Sequence, residues 1–314
     1  MAHGARVNRP KNPNDRRPGA RSGPPRKTGG VRGAPGKGGF KNAGGRRGPR
    51  NAQGRDTQAP DPNLPKRDGD RIAKLLARAG IASRREVERM IEDGRVAING
   101  DVVETPATVL TSLIGVTVDG NPVAAPERTR LFLFNKPAGL LTAERDPKGR
   151  PTIYTALRNA LPADTPRLMP VGRLDYNTEG LLLLTNDGEF KRALELPSSA
   201  IPRTYRAKAM GKVGQNDLEA LFEGVTVDGV HYGQIEANLE RRNGLQNWIE
   251  LTLTEGKNRE VRNVLEHLGL QVSRLLRVAY GPFELGDLAR GAVFEVKQGD
   301  VERLRKALAR DRAK

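Results

Sequence analysis

One aspartate in this chain stands in a setting that is unusual for an ordinary strand end. Asp175 belongs to the run G-R-L-D-Y-N-T-E-G-L-L-L-L-T-N-D-G, from Gly172 to Gly188, with Arg173 two residues before it and four leucines after it. A carboxylate held among anchoring apolar residues is costly unless a cation or a ligand compensates its charge. We therefore take Asp175 as a candidate catalytic carboxylate. The alternative is a strand end at which Asp175 only caps a turn.

The pattern around Asp175 predicts a domain that mixes strands and helices. Apolar runs predict strands at 131–134, 169–174, 181–185, 204–210, 233–239 and 248–253, and helices at 191–196, 217–222 and 259–268. Strands outnumber helices and do not alternate with them regularly, so we expect an α+β fold with a mixed or antiparallel sheet. A doubly wound nucleotide-binding fold is disfavoured, because no glycine-rich phosphate loop joins a strand to a helix.

The preceding segment predicts a small ααβ unit. We expect helices over 71–80 and 84–94, the second with the capping-box spacing of Ser83 and Glu86, and a hairpin turning at Asn99-Gly100. Basic residues follow the solvent side of both helices: Arg71, Lys74, Arg78, Arg84, Arg85 and Arg89. Such a patch favours nucleic-acid binding, with Lys74, Arg84 and Arg85 as candidate RNA contacts; the alternative is a solvated helix face.

Several motifs together resemble one enzyme family. They are the run at 172–188, N-K-P-A-G at 135–139, R-T-Y-R at 203–206, E-G-K-N-R-E-V-R at 255–262 and S-R-L-L-R at 273–277. This set is similar to the RsuA-type family of RNA pseudouridine synthases, and most to its RluB branch, which acts on large-subunit ribosomal RNA. The small basic unit resembles the alpha-L RNA-binding domain of ribosomal protein S-four. The resemblance implies site-specific isomerisation of uridine to pseudouridine in ribosomal RNA, 23S RNA above all, without cofactor or metal.

The resemblance also implies roles for single residues. Asp175 would act on an extruded uridine, by attack on the base or the sugar or by electrostatic support, and must be ionised to do so. Arg262 would pair with it, with Arg259 as the nearest competitor, and Tyr205 would stack on the target base. The alternatives are a phosphate-contacting helix arginine and a half-buried core tyrosine.

Other residues are expected around the same site. Leu275 would form a hydrophobic wall, and Arg277, Lys257 and Arg259 would contact RNA. Arg173 would either reach the RNA where the target base has left the helix or clamp a phosphate. Residues 135–137 would support the loop under the tyrosine, and Thr178 would fix the Asp175 loop through hydrogen bonds to backbone groups.

Positive charge is concentrated at the start of the chain. Residues 1–67 hold 17 Lys and Arg against 3 Asp and Glu, or +14 of the net +17. Their Gly, Pro and Arg content predicts a disordered basic tail that binds phosphates without base selectivity, or else a solubilising extension. We expect the RNA-binding domain at 68–127, the catalytic domain at 128–298, and a basic C-terminal helix or tail at 299–314.

Composition excludes several classes of protein. The chain has no cysteine and only three scattered histidines, which removes disulfides, thiolate catalysis and a credible structural metal site. No apolar run is long enough to span a membrane, so we expect a cytoplasmic monomer whose partner is ribosomal RNA or a ribosome assembly intermediate. The rival functions are a non-catalytic RNA-binding or assembly factor and the same reaction on small-subunit RNA. A nuclease is disfavoured, because no metal-binding carboxylate cluster is visible.

Overall fold

The computed structural model describes residues 68–311, so the expected tail at 1–67 lies outside the described residues. The helices in this range are α1 (Ile72–Arg78), α2 (Arg84–Glu92), α3 (Ile153–Ala160), α4 (Gly188–Glu195), α5 (Gln215–Glu219), α6 (Glu260–His267) and α7 (Gln298–Asp311). None of these helices of residues 68–311 is long and apolar enough to cross a bilayer.

The strands of the same range are β1 (Asp70–Arg71), β2 (Val96–Ile98), β3 (Asp101–Val102), β4 (Val109–Leu110), β5 (Val116–Val118), β6 (Asn121–Pro122), β7 (Leu131–Lys136), β8 (Met169–Pro170), β9 (Thr178–Thr185), β10 (Arg203–Met210), β11 (Val225–Val227), β12 (Val230–Tyr232), β13 (Ile235–Asn243), β14 (Gln246–Leu253), β15 (Gln271–Tyr280), β16 (Phe283–Glu284) and β17 (Val293–Glu295). Two 3-10 turns lie at Pro197–Ser199 and Ala220–Glu223.

The small N-terminal domain packs α1 and α2 on a four-stranded sheet in the order β3-β2-β5-β6. The Ser83 hydroxyl accepts a hydrogen bond from the Glu86 amide at 3.3 Å, which confirms the predicted start of α2. Asn99 and Gly100 both have positive φ, +53° and +98°, as the turn between β2 and β3 requires. The predicted hairpin is therefore confirmed, and its sheet gains two strands that the sequence did not predict.

The larger domain is built on one mixed sheet. Its main path runs β13-β14-β10-β15-β9-β7-β17, with β8 beside β9 and β16 beside β15. Neighbours pair antiparallel except β9 and β15, which are parallel. The predicted α+β class with a mixed sheet is confirmed.

The four leucines after Asp175 explain how β9 is buried on both faces. Leu182 and Leu184 pack with Ile153 and Leu157 of α3, whereas Leu181 and Leu183 pack with side chains of α4 and α7. Side chains alternate between the faces of a strand, so an unbroken apolar run is what a strand covered on both sides needs. This double anchoring fixes the strand that begins three residues after Asp175.

The structure differs from the sequence predictions at several elements. The strand expected at 169–174 stops at Pro170, since Gly172 turns the chain with φ +67°. Helix α3 and strand β15 were not predicted as elements. The C-terminal helix α7 buries Val301 and Leu308 against α4, so residues 298–311 pack on the core of the larger domain.

Lys74 joins the small domain to the larger one. Its ammonium pairs with Asp70 and with Glu189 of α4, and Arg78 lies 3.7 Å from the second oxygen of the same Glu189 carboxylate. Lys74 therefore makes an ion pair between the two domains, and its contact with RNA stays a prediction. Arg84 and Arg85 are exposed on α2, as expected of residues that meet a ligand.

Candidate active site

A cleft of about 670 Å³ lies in the larger domain, where the Asp175 loop meets β10, β15 and the start of α6. Seven of the predicted site residues line it: Arg173, Asp175, Tyr205, Lys257, Arg259, Leu275 and Arg277. The parallel pairing of β9 with β15 aligns Thr178 with Leu275, which brings the Asp175 loop next to β15. Segments that are about 100 residues apart in the chain therefore converge on one cleft.

The backbone on both sides of Asp175 is held by hydrogen bonds. Before it, the Thr142 hydroxyl donates to the Leu174 carbonyl at 2.8 Å and accepts from the Leu174 amide at 3.2 Å. After it, the Thr178 amide donates to the Asp175 carbonyl at 3.1 Å. The Thr178 hydroxyl is buried without a hydrogen-bond partner, which is contrary to the role expected for it. The loop is fixed by other groups.

Lys136 is the main side chain that fixes the Asp175 loop. Its ammonium is fully buried and donates to the carbonyl oxygens of Thr178 at 2.8 Å, of Pro137 and Asp175 at 3.1 Å, and of Tyr176 at 3.4 Å. Burial lowers the pKa of Lys136 to about 8, although the Asp175 charge acts in the opposite direction. A costly buried cation thus organises the Asp175 loop, and not the loop under the tyrosine as the sequence had indicated.

The nearest cation to the Asp175 carboxylate is Arg259. Its Nη1 lies 3.9 Å from Asp175 Oδ2, and both side chains are about half exposed. The structure differs here from the expected Arg262–Asp175 pair, since Arg262 is buried and donates to the Val272 carbonyl at 3.3 Å. Burial first, and repulsion from Arg259 second, lower the pKa of Arg262, which a guanidinium tolerates without losing its proton.

Arg259 reaches Asp175 because the turn before α6 is strained and braced. Arg259 has φ +50°, in the left-handed region that non-glycine residues rarely adopt. The Glu260 carboxylate accepts from the Lys257 amide at 2.9 Å, and Arg203 donates to the carbonyls of Thr254 and Glu255 at 2.6 and 2.7 Å. Burial raises the pKa of the Glu260 carboxyl, whose other oxygen has no partner. Sequence reasoning missed both braces.

Tyr205 and Arg277 form one wall of the cleft. The Tyr205 ring is half-buried, and its hydroxyl accepts from Arg277 Nη1 at 3.4 Å. Arg277 is only 2% exposed and also donates to the Leu181 carbonyl at 2.8 Å. Arg277 is thus placed to hold Tyr205, and because it also lines the cleft, its contact with RNA stays a prediction. Leu275 is buried beside them and supplies apolar surface.

Charge makes the cleft suited to a polyanion. Arg173 and Lys257 are exposed at its edge, although Lys257 also donates to the His231 carbonyl at 2.8 Å. Among the lining residues there are seven Lys and Arg against four Asp and Glu. A concave surface with an excess of cations attracts phosphates, and the half-buried Tyr205 ring offers a face for a base.

Comparison with known proteins agrees with this chemistry. Residues 130–267 match the family model for RNA pseudouridylate synthase, and residues 70–112 match the S4 domain. An uncharacterized RNA pseudouridine synthase of Rickettsia bellii is 41% identical over 226 residues, which are 72% of this chain and 96% of that protein. The chain belongs to the RNA pseudouridine synthase family. The resemblance seen in the sequence is thereby confirmed.

Two further proteins show the same similarity. Ribosomal large subunit pseudouridine synthase B of Salmonella typhimurium is 38% identical over 242 residues, which are 75% of this chain and 82% of that protein. A crystal structure of a pseudouridylate synthase aligns with a TM-score of 0.52 at 26% identity, over 74% of this chain and 99% of that one. This chain is thus an RNA pseudouridine synthase with an S4 domain, and its reaction is the isomerisation of uridine to pseudouridine in RNA.

Proposed function

We propose that this enzyme modifies one uridine of ribosomal RNA, in the large subunit, and that Asp175 is its catalytic carboxylate. The observation that carries the proposal is the geometry of the cleft: a half-exposed carboxylate with Arg259 at 3.9 Å and Tyr205 on the wall. The choice of large-subunit RNA is supported by the similarity to the Salmonella enzyme named for that substrate. The domain boundaries at 68–127 and 128–298 are part of the same proposal.

The roles of the site residues follow from their positions. The target uridine leaves its stack, which costs a few kcal/mol, and its base stacks on Tyr205 within the cleft. Arg259 faces the Asp175 carboxylate directly, and the buried Arg262 adds positive charge behind it. Arg259 is placed to orient the carboxylate for the nucleophilic attack or the electrostatic support expected of it. Neither role calls for a cofactor or metal.

The RNA around the target uridine is held by cations outside the reaction centre. Arg173 and Lys257 at the cleft, and Arg84 and Arg85 on α2, are exposed and available to phosphates. Ribosomal RNA is expected as free RNA or within an assembly intermediate, bound by a monomer of the enzyme in the cytoplasm.

The experiment that tests the proposal compares ribosomal RNA from a strain of the source organism that lacks this gene with RNA from its parent. Both RNAs are treated with a pseudouridine-specific carbodiimide and read by primer extension. One stop in large-subunit RNA should disappear in the deletion strain and return with a plasmid copy of the gene. A lost stop in small-subunit RNA instead would overturn the choice of substrate, and an unchanged pattern would favour a pure RNA-binding role.

Variants test the assignment of Asp175. A plasmid that encodes Asp175→Asn should not restore the stop, whereas the matched control Asp164→Asn, an exposed aspartate outside the cleft, should restore it. Purified Asp175→Asn should still bind the RNA, since one neutralised carboxylate removes no phosphate contact. Restoration of the stop by Asp175→Asn would refute the catalytic role.

A further inference from the structure

The residue after Asp175 is an exposed aromatic. Tyr176 has 38% of its surface exposed and is one of nine exposed large apolar or aromatic side chains in residues 68–311. It does not line the cleft, although its neighbour Asp175 does. A tyrosine that served only the core would be buried, as Tyr280 is at 1%. Tyr176 is therefore exposed outside the cleft, one residue from Asp175.

The backbone of Tyr176 is held on the same anchors as the reaction centre. Its carbonyl accepts from the Gly139 amide at 2.8 Å and from the buried Lys136 ammonium at 3.4 Å. The ring lies along the turn at Gly139, since a Cβ added there would be 3.9 Å from the Tyr176 hydroxyl oxygen. A ring carried on an anchored backbone can receive a base with little rearrangement of the main chain.

One cation lies close to this ring, and others share the loop of that cation. Arg150 is exposed and close enough for its charge to interact with the Tyr176 hydroxyl, and its guanidinium is held by two hydrogen bonds of 3.0 Å to Asp146. Arg145 and Lys148 are exposed on the same loop, and Arg173 lies at the cleft on the other side of Asp175. An exposed aromatic face among cations is the combination that single-stranded nucleic acid recognises, with bases on the ring and phosphates on the cations.

We propose that Tyr176 is a further substrate-binding residue, which stacks on one nucleotide directly adjacent to the target uridine, outside the cleft. The inference rests on the proposed function. Asp175 lines the cleft that takes the extruded uridine, and Tyr176, the next residue, does not line it, so the ring lies where the RNA strand on one side of the target would pass. Tyr205 takes the extruded base, and Tyr176 takes the base beside it.

The test uses a synthetic RNA oligonucleotide centred on the uridine that primer extension maps. Activity is followed as release of tritium from C5 of labelled uridine, because C5 must lose its hydrogen when it forms the new glycosidic bond. Tyr176→Ala should raise KM about tenfold or more, the loss expected for one base–aromatic stack. Its kcat should stay within about threefold of the wild-type value, since the ring does not touch the reacting atoms. Tyr176→Phe, which keeps the ring, should behave as wild type.

A matched control removes another exposed ring. Phe222 is 50% exposed and does not line the cleft, so Phe222→Ala should leave both constants unchanged. Two further RNAs carry an abasic site 5′ or 3′ of the target. With one of them, the wild-type KM should rise to the Tyr176→Ala value, and Tyr176→Ala should add nothing more.

Each outcome decides the proposal. An unchanged KM in Tyr176→Ala would overturn it, and so would a penalty of equal size on the intact RNA and on both abasic RNAs, which would mark a purely structural role. The failure of the proposed function is a separate result: the lost stop would then lie in small-subunit RNA, and Tyr176→Ala would be compared with wild type on an oligonucleotide centred on that uridine.

Discussion

The variant Lys136→Met should disturb the reaction centre while it changes the free energy of unfolding little. Lys136→Met keeps the length and apolar stem of the side chain and removes only the ammonium. That ammonium serves the carbonyls of Pro137, Asp175, Tyr176 and Thr178, all on the two turns that meet at the cleft.

Two effects on the free energy of unfolding oppose each other. An ammonium has three donors, and each carbonyl left without its partner costs about 1 kcal/mol or more, so the variant loses about 3 kcal/mol. In the wild type, however, the pKa of Lys136 is lowered from 10.5 to about 8. This shift corresponds to a cost of about 3 kcal/mol for keeping the buried ammonium charged at neutral pH. The terms nearly cancel, and we expect a net change below about 2 kcal/mol.

The catalytic effect has no such compensation. A displacement of about 1 Å at a reacting group can cost about a hundredfold in rate, and Lys136→Met frees the carbonyl of Asp175 itself. Single-turnover tritium release should therefore fall by about that factor while the urea midpoint moves little. Lys212→Met, an exposed lysine outside the cleft, is the control and should match wild type in both assays. A Lys136→Met enzyme with the wild-type rate would refute the reasoning.

The pH dependence of stability gives a second check on Lys136. Between about pH 8 and 10.5 the unfolded chain keeps the lysine proton while the folded protein has released it. The unfolded state then binds more protons, so the wild type gains stability relative to Lys136→Met as the pH rises through this window. A constant difference between the two proteins, measured by urea unfolding across the window, would contradict the lowered pKa.

Three further changes test the surroundings of the site. Arg259→Gln should slow single turnover about tenfold without moving the urea midpoint, because it removes the half-exposed cation nearest to Asp175; an unchanged rate would contradict this. Burial raises the pKa of the Glu260 carboxyl above 4.5, so its ionisation lowers the stability of the protein at neutral pH. Glu260→Gln should therefore raise the Tm at neutral pH and lose that advantage below pH 4.5. An equal or lower Tm at neutral pH would count against this prediction. Gly180→Ala should destabilise by about 2 kcal/mol or more in urea, since Gly180 has φ +98° and a Cβ would lie 2.3 Å from the Arg277 carbonyl oxygen; a native midpoint would argue otherwise.

Much of the fold could be predicted from the sequence because the signals for it are local. The Ser83 cap and the Asn99-Gly100 turn act within a few residues of themselves, so their outcome depended little on the rest of the chain. The apolar run at 181–184 indicated a buried strand for the same reason. Helix α3 escaped prediction because only Ile153 and Leu157 mark its buried face; Thr152, the residue before the helix, makes no capping hydrogen bond through its side chain.

Residues of the site could be predicted from the sequence only where they belong to a family motif. Those motifs pointed to Asp175 and Tyr205, which line one cleft in the structure. The geometry of the charges was not predictable, because it depends on contacts between distant segments. In the sequence Lys136 is only a polar residue at the end of a strand, and the folded chain is needed to bring the carbonyls of the Asp175 loop around its ammonium. The left-handed turn at Arg259 places Arg259, and not the expected Arg262, beside the Asp175 carboxylate.

The most direct test of the account is single-turnover tritium release by purified enzyme from large-subunit ribosomal RNA of the deletion strain, labelled at C5 of uridine. Wild-type protein should release one tritium per RNA molecule and create one new carbodiimide stop, and Asp175→Asn should do neither while it binds the same RNA. Release of tritium by Asp175→Asn at the wild-type rate would contradict the central claim that this carboxylate carries the reaction.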